Sequence, residues 1–190
     1  MPPIEPINSI HKYSRTMNKE RDFIPLNISL LTVSDTRTPA DDRSGKILEQ
    51  RVADAGHLIY DRQIVRDDIY QIRAQVSQWI ADAQVQVVIS SGGTGVTGRD
   101  GTPEAISVLL DKEIAGFGET FRALSYQTIK TSTLQSRALA GVANATYLFC
   151  LPGSPSACGE AWDKIICHQL DYRTRPCNLV ELMPRLHEHV

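Results

Sequence analysis

The run 87–105, VVISSGGTGVTGRDGTPEA, restricts the fold of this chain more than any other stretch. It opens as an apolar strand ending in Ser90 and Ser91, then crosses a loop with five glycines in ten residues. It closes on Thr102-Pro103-Glu104, which reads as a helix start with Thr102 as cap and Pro103 at the first position. Strand, glycine loop and helix in immediate succession point to an α/β architecture with a ligand site at the carboxyl end of a strand.

The rest of the chain repeats that alternation. Residues 26–33 and 58–65 read as strands, and a helix from about Ser44 carries Ile47, Leu48, Val52 and Ala55 as its apolar stripe before Gly56. Asp67 or Asp68 can cap a second helix, in which Ile69, Ile72, Val76, Trp79 and Ile80 recur at helical spacing. A helical piece over 117–126 precedes two strands, 137–142 and 146–151, joined through Ala143-Asn144-Ala145 as a hairpin. A last helix spans about 155–170. The expected fold is an α/β three-layer sandwich whose sheet is mostly parallel, mixed by that hairpin. Residues 25–176 form the domain, 1–24 read as a flexible arm rich in Pro2, Pro3 and Pro6, and 177–190 as a tail.

Composition narrows the function. Twenty basic and 22 acidic residues give a net charge of −2, with no basic run suited to gripping nucleic acid. No segment resembles a secretion signal or a membrane span, and Cys150, Cys158, Cys167 and Cys177 form no C-x-x-C pair. A cytoplasmic protein with reduced thiols is expected.

Four strand ends lead into glycine-, hydroxyl- or carboxylate-rich turns: Ser34-Asp35, Val65-Arg66-Asp67, the loop 90–100, and Leu151-Pro152-Gly153-Ser154. Glycines without a Cβ let the backbone amides of Gly92, Gly93, Thr94 and Gly95 approach an anion. Ser91 and Thr94 add hydroxyls, and the helix opening at Thr102 adds its dipole. Arg137 follows Ser132-Thr133-Leu134-Gln135-Ser136, a hydroxyl-rich stretch that could face a phosphate, and Ser136 and Arg137 are its candidate contacts. No Lys-Ser/Thr follows the loop as in a Walker motif, and no helix starts where G-x-G-x-x-G would need one. Asp100 and Asp67 are the expected magnesium ligands, since that ion takes one or two carboxylates together with substrate phosphates. Asp68 could exchange with Asp67, one serving the metal and the other the helix cap.

At these residues the chain resembles the molybdenum-cofactor biosynthesis proteins of the MoaB/Mog family. The resemblance runs from Leu26 to about Pro176. It is carried by Leu31-Thr32-Val33-Ser34-Asp35, Asp42-Arg43-Ser44-Gly45, the Ser-Gly-Gly-Thr-Gly loop through Asp100, and Thr102-Pro103-Glu104-Ala105. Gly116-Phe117-Gly118-Glu119, Leu134-Gln135-Ser136-Arg137 and Leu151-Pro152-Gly153-Ser154 complete it. The resemblance implies a molybdopterin-binding fold. In active members, magnesium-dependent transfer of AMP from ATP to the pterin's terminal phosphate activates it for metal insertion. It also implies a homo-oligomer, trimeric or hexameric, and transient contact with other proteins of the pathway. The family's two functional aspartates fall on Asp100 and Asp67. Some MoaB-type proteins lack the transfer activity, so a silent molybdopterin carrier is the alternative; the intact Arg99-Asp100-Gly101-Thr102-Pro103-Glu104-Ala105 favours a working site.

Overall fold

The computed structural model describes residues 21–188. Six strands form one sheet: β1 (Asn27–Val33), β2 (Leu58–Val65), β3 (Val87–Ser91), β4 (Lys112–Glu113), β5 (Leu139–Ala143) and β6 (Thr146–Leu151). Their order is β2-β1-β3-β6-β5-β4. The first four in that order run parallel, whereas β5 is antiparallel to both β6 and β4. The sheet is therefore mixed, and the hairpin is its cause. Asn144 and Ala145 carry φ of 45° and 63°, the two consecutive left-handed residues that let a two-residue turn match strand twist.

Side chains of β1 divide between two cores, as a strand with both faces covered must. Ile28 and Leu30 join Leu48 and Val52 of α1 (Arg43–Asp54), Phe117 and Phe121 of α4 (Ala115–Ile129), and Cys158 and Ala161 of α5 (Pro155–Ala161). Leu31 and Val33 join Ile72, Val76 and Trp79 of α2 (Ile69–Ala81) and Ala105 and Ile106 of α3 (Thr102–Ser107). Helix, sheet and helix make the three layers. The chain leaves the neighbouring strands β1 and β3 toward opposite faces, α1 on one and α3 on the other. Such a switch opens a crevice beyond the strand ends.

Several local expectations are corrected. Thr102 is the first residue of α3 and Gly101 occupies the cap without a side-chain hydrogen bond. The helix expected over 155–170 is broken by a π-helical turn, Trp162–Ile166, before α6 (Cys167–Gln169). β4, two exposed residues at the sheet edge, has no apolar alternation to announce it.

Most of the arm assigned to 1–24 lies outside the described residues. From Arg21 onward the chain packs: Arg21 forms a two-armed ion pair with Glu181 and sits over the Tyr172 ring. Asn178 and Val180 are buried, and the Tyr147 hydroxyl donates to the Leu179 carbonyl at 2.9 Å. Among the described residues no helix is long and apolar enough to cross a membrane.

Candidate functional site

The glycine loop is folded onto the strand ends by contacts that only glycine permits. Gly92 has φ of 103°, and a Cβ there would lie 2.2 Å from the Val33 carbonyl oxygen. Gly93 has φ of 63°, and its Cβ would lie 2.3 Å from Thr102 Oγ1 and 3.0 Å from each Asp67 carboxylate oxygen. A side chain at either position would therefore displace backbone or a buried polar group. The Gly92 amide donates to Leu151 O (3.0 Å), and a Cβ on Gly153 would lie 3.0 Å from the Gly92 Cα. The ends of β1, β3 and β6 thus meet at one point.

Beside the loop lies a cavity of about 420 Å³. Gly92, Gly93, Thr94, Gly95, Asp100, Ser136, Pro152, Gly153 and Ser154 form its polar wall, and Phe121, Ile129 and Ala157 its apolar wall. Eight of the residues expected to contact a ligand line this cavity, together with Asp100. The others do not. Ser91 is buried beneath the loop, Ser34 accepts from the Thr36 and Arg37 amides, and Asp35 pairs with Arg99. Thr102 is buried below Gly93. Ser125, Ser132 and Gln135 also line the cavity; Ser132 and Gln135 belong to the hydroxyl-rich stretch before Arg137 but are not among the contacts expected from sequence, and Ser125 is not expected at all. Their signal was only the polar edge of a helix and its 3-10 extension, Lys130–Gln135.

The two aspartates sit on either side of the loop in unlike surroundings. Asp100 accepts from the Thr97 hydroxyl at 2.6 Å and the Thr97 amide at 2.8 Å. The Thr97 hydroxyl foremost, helped by the Thr97 and Gly95 amides and the Arg137 charge, outweighs burial and holds the Asp100 carboxyl below the usual range. Asp67 lines a neighbouring cavity of about 470 Å³ with Arg66, Tyr70 and Arg99. Burial pushes its pKa up, the Asp100 and Asp35 charges add to that push, and the Gly101 amide and Arg99 oppose it. Its Oδ1 is buried without a hydrogen-bond partner. The mutual repulsion places Asp67 and Asp100 in one electrostatic field.

The cap of α2 belongs to Asp68, whose side chain accepts from the Tyr70 and Gln71 amides at 3.0 and 2.9 Å. Asp67 is left free of that duty. Two carboxylates with an orphaned oxygen suit a divalent cation that draws its remaining oxygens from water and ligand phosphates. Among the described residues no three His, Cys, Asp or Glu side chains converge as a closed metal site.

Arg137 differs from the expectation that it faces a phosphate. Its Nε donates to Gly95 O (2.7 Å) and Thr94 O (3.3 Å), its Nη2 to Asp100 O (2.7 Å), and its Nη1 pairs with the Glu104 carboxylate. The loop turns the Thr94, Gly95 and Asp100 carbonyls inward, and these take the guanidinium. At the last strand end, Ser154 caps α5 by accepting from the Ala157 amide at 3.2 Å, with Pro155 opening the helix.

This site has counterparts. A family model described as "Probable molybdopterin binding domain" matches residues 29–172. The molybdenum cofactor biosynthesis protein B of Escherichia coli (strain K12) is 56% identical over 157 residues, covering 83% of this chain and 92% of that protein. The protein of the same name from Bacillus cereus is 41% identical over 162 residues, covering 85% of this chain and 96% of its own length. A crystal structure of a molybdenum cofactor biosynthesis protein B superposes with a TM-score of 0.80 at 38% identity, covering 89% of this chain and all of that one. The tungsten cofactor synthesizing protein MoaB of Pyrococcus furiosus does so at 0.72 and 29%, covering 86% and 98%. With matches of this extent on both sequence and fold, the chain belongs to the molybdopterin-binding domain family of molybdenum-cofactor biosynthesis proteins.

Proposed function

We propose that the chain acts in molybdenum-cofactor biosynthesis by binding molybdopterin through its terminal phosphate at the glycine loop. There it transfers AMP from ATP to that phosphate. One observation carries the reading: Ser136 Oγ and Asp67 Oδ1 are buried without partners, each beside one of the two cavities that flank the loop. Buried polar atoms left unpaired are costly, and such atoms on both sides of one glycine loop favour a polar ligand there.

The chemistry needs no side-chain nucleophile. A phosphate oxygen of the pterin attacks the α-phosphorus of ATP, and pyrophosphate leaves with the electron pair of the cleaved P–O bond. The residues align the two substrates and offset the repulsion between their phosphates. The backbone amides of Gly93 and Thr94 hold the pterin phosphate, and Asp67 and Asp100 would hold a magnesium ion. Bound there, such an ion would supply neutralisation of the phosphate charge. The apolar wall of Phe121, Ile129 and Ala157 suits a flat heterocycle.

The test supplies purified protein with molybdopterin, ATP and magnesium. The expected result is adenylylated molybdopterin and pyrophosphate in equal amounts, lost in Asp100→Asn while the pterin still binds. Pterin binding without turnover in the unmodified protein would select the carrier role instead, and no pterin binding would remove both. Assembly as a trimer or a multiple of it belongs to the same reading, with sedimentation as its check. The exposed apolar side chains Tyr70, Val96, Val108 and Leu134 support it.

A further inference from the structure

We infer that Arg137 is a positioning residue that sets the Asp100 end of the glycine loop, and that it does not itself bind the substrate phosphate. The inference rests on the proposed function for what the loop holds and on the geometry around Arg137 for how the loop is held. Arg137 enters from the start of β5 and binds the loop at two separated points, the Thr94 and Gly95 carbonyls on one arm and the Asp100 carbonyl on the other. Its third arm pairs with Glu104 in the first turn of α3. One planar fork therefore spans the loop from its base to the helix that follows it.

Asp100 is consequently fixed at both ends. Its carbonyl is held by Arg137, and its carboxylate by the Thr97 amide and hydroxyl. The intervening arc has few other ties. Val96, Thr97, Gly98 and Arg99 are exposed, and a Cβ on Gly98 would meet nothing within 4 Å. The remaining anchors are the Asp100 amide on Thr97 O (3.1 Å), the Thr102 amide on Gly93 O (3.0 Å) and the Arg99–Asp35 pair.

A phosphate would find Arg137 poorly suited as a ligand. Glu104 neutralises its charge, and each of its three nitrogens already donates to the protein. Lysine cannot replace it, because an ammonium is a point donor that cannot reach two separated carbonyls and a carboxylate in one plane. A residue that orients a metal-binding carboxylate through the backbone changes metal affinity when it is lost, commonly by 10-fold or more.

The test titrates Mn²⁺, as a paramagnetic probe of the magnesium site, into the unmodified protein and Arg137→Lys, and follows amide hydrogen exchange over 95–101. Arg137→Lys is expected to bind Mn²⁺ about tenfold more weakly. Its 95–101 amides should exchange faster, while metal-free molybdopterin binding changes little. A phosphate-binding arginine would give the reverse: weaker metal-free pterin binding with Mn²⁺ affinity and exchange unchanged, which would overturn the inference. If Arg137→Lys does not fold, Glu104→Gln carries the test, with an expected loss of about threefold in the same direction because a charge-assisted bond becomes a neutral one. Should the unmodified protein bind no Mn²⁺, the proposed function loses its metal site. The exchange of the 95–101 amides then still decides the role of Arg137.

Discussion

Asp42 and Asp67 both precede helices at the carboxyl rim of the sheet, yet the protein treats them in opposite ways. Asp42 is fully buried, and its oxygens accept from the Thr32 hydroxyl (2.7 Å), the Gly45 amide (2.9 Å) and Arg62 (2.9 Å). Burial pushes its pKa up, but those hydrogen bonds and the Arg62 charge prevail and hold it below the usual range. Asp67 is only half-buried, keeps an orphaned oxygen, and is pushed upward. A carboxylate whose bonds are complete is a structural part. One left incomplete against its own stability is available to a ligand.

The largest expected effect lies on the structural side. Asp42→Ala strips the cap of α1 and leaves Arg62 facing a buried void, so calorimetry should show a loss of about 4 kcal/mol, or roughly 8–16 °C in Tm. A loss no larger than that of an exposed ion pair would erase the distinction drawn here.

Next comes a backbone test of the rim. Gly92→Ala places a methyl group against the Val33 carbonyl at a positive φ. It should cost about 3 kcal/mol in denaturant unfolding and weaken molybdopterin binding in parallel.

Acid titration separates the satisfied interior from the rim by sign. Burial lowers the His57 pKa from 6.5 to about 4, and its Nδ1 accepts from the Leu26 amide at 3.2 Å. Between those two values the unfolded ring binds a proton that the folded ring refuses. Stability is therefore complete above the unfolded pKa and falls as pH drops toward 4, by on the order of 3 kcal/mol. His57→Gln should flatten that stretch of the unfolding curve. Asp67 works the other way: its folded pKa is raised, so its ionisation costs stability as pH rises through the folded value, and that cost persists at neutral pH. Metal-free Asp67→Asn should accordingly melt about 1–3 °C higher at pH 7 while losing cation binding. A lower melting temperature would show Asp67 to be structural after all.

The contrast also shows what could be read from residues alone. β3 was legible because a nearly continuous β-branched run admits few other states, and the hairpin because Asn144 tolerates the left-handed region. The convergence of the four strand ends followed from topology, since parallel strands deliver their carboxyl ends to one rim. Partnerships across the chain were not legible. The Asp42–Arg62 pair joins residues twenty apart, one in a polar loop and one on a strand whose sequence does not announce the pairing. The choice between Asp67 and Asp68 as helix cap turned on a single peptide's direction, which spacing does not encode. Arg137 looked like a phosphate ligand because a sequence lists its charge without showing the inward carbonyls that occupy it.

The cavity at the glycine loop is the centre of this reading, and equilibrium binding of molybdopterin to the unmodified protein and to Ser136→Leu tests it most directly. The leucine would fill the space into which Ser136 faces, at a half-buried position where folding is little affected. The expected result is binding by the unmodified protein that weakens at least about 30-fold in the variant, roughly 2 kcal/mol, at unchanged melting temperature. Equal binding by the two proteins would contradict it and place the pterin elsewhere.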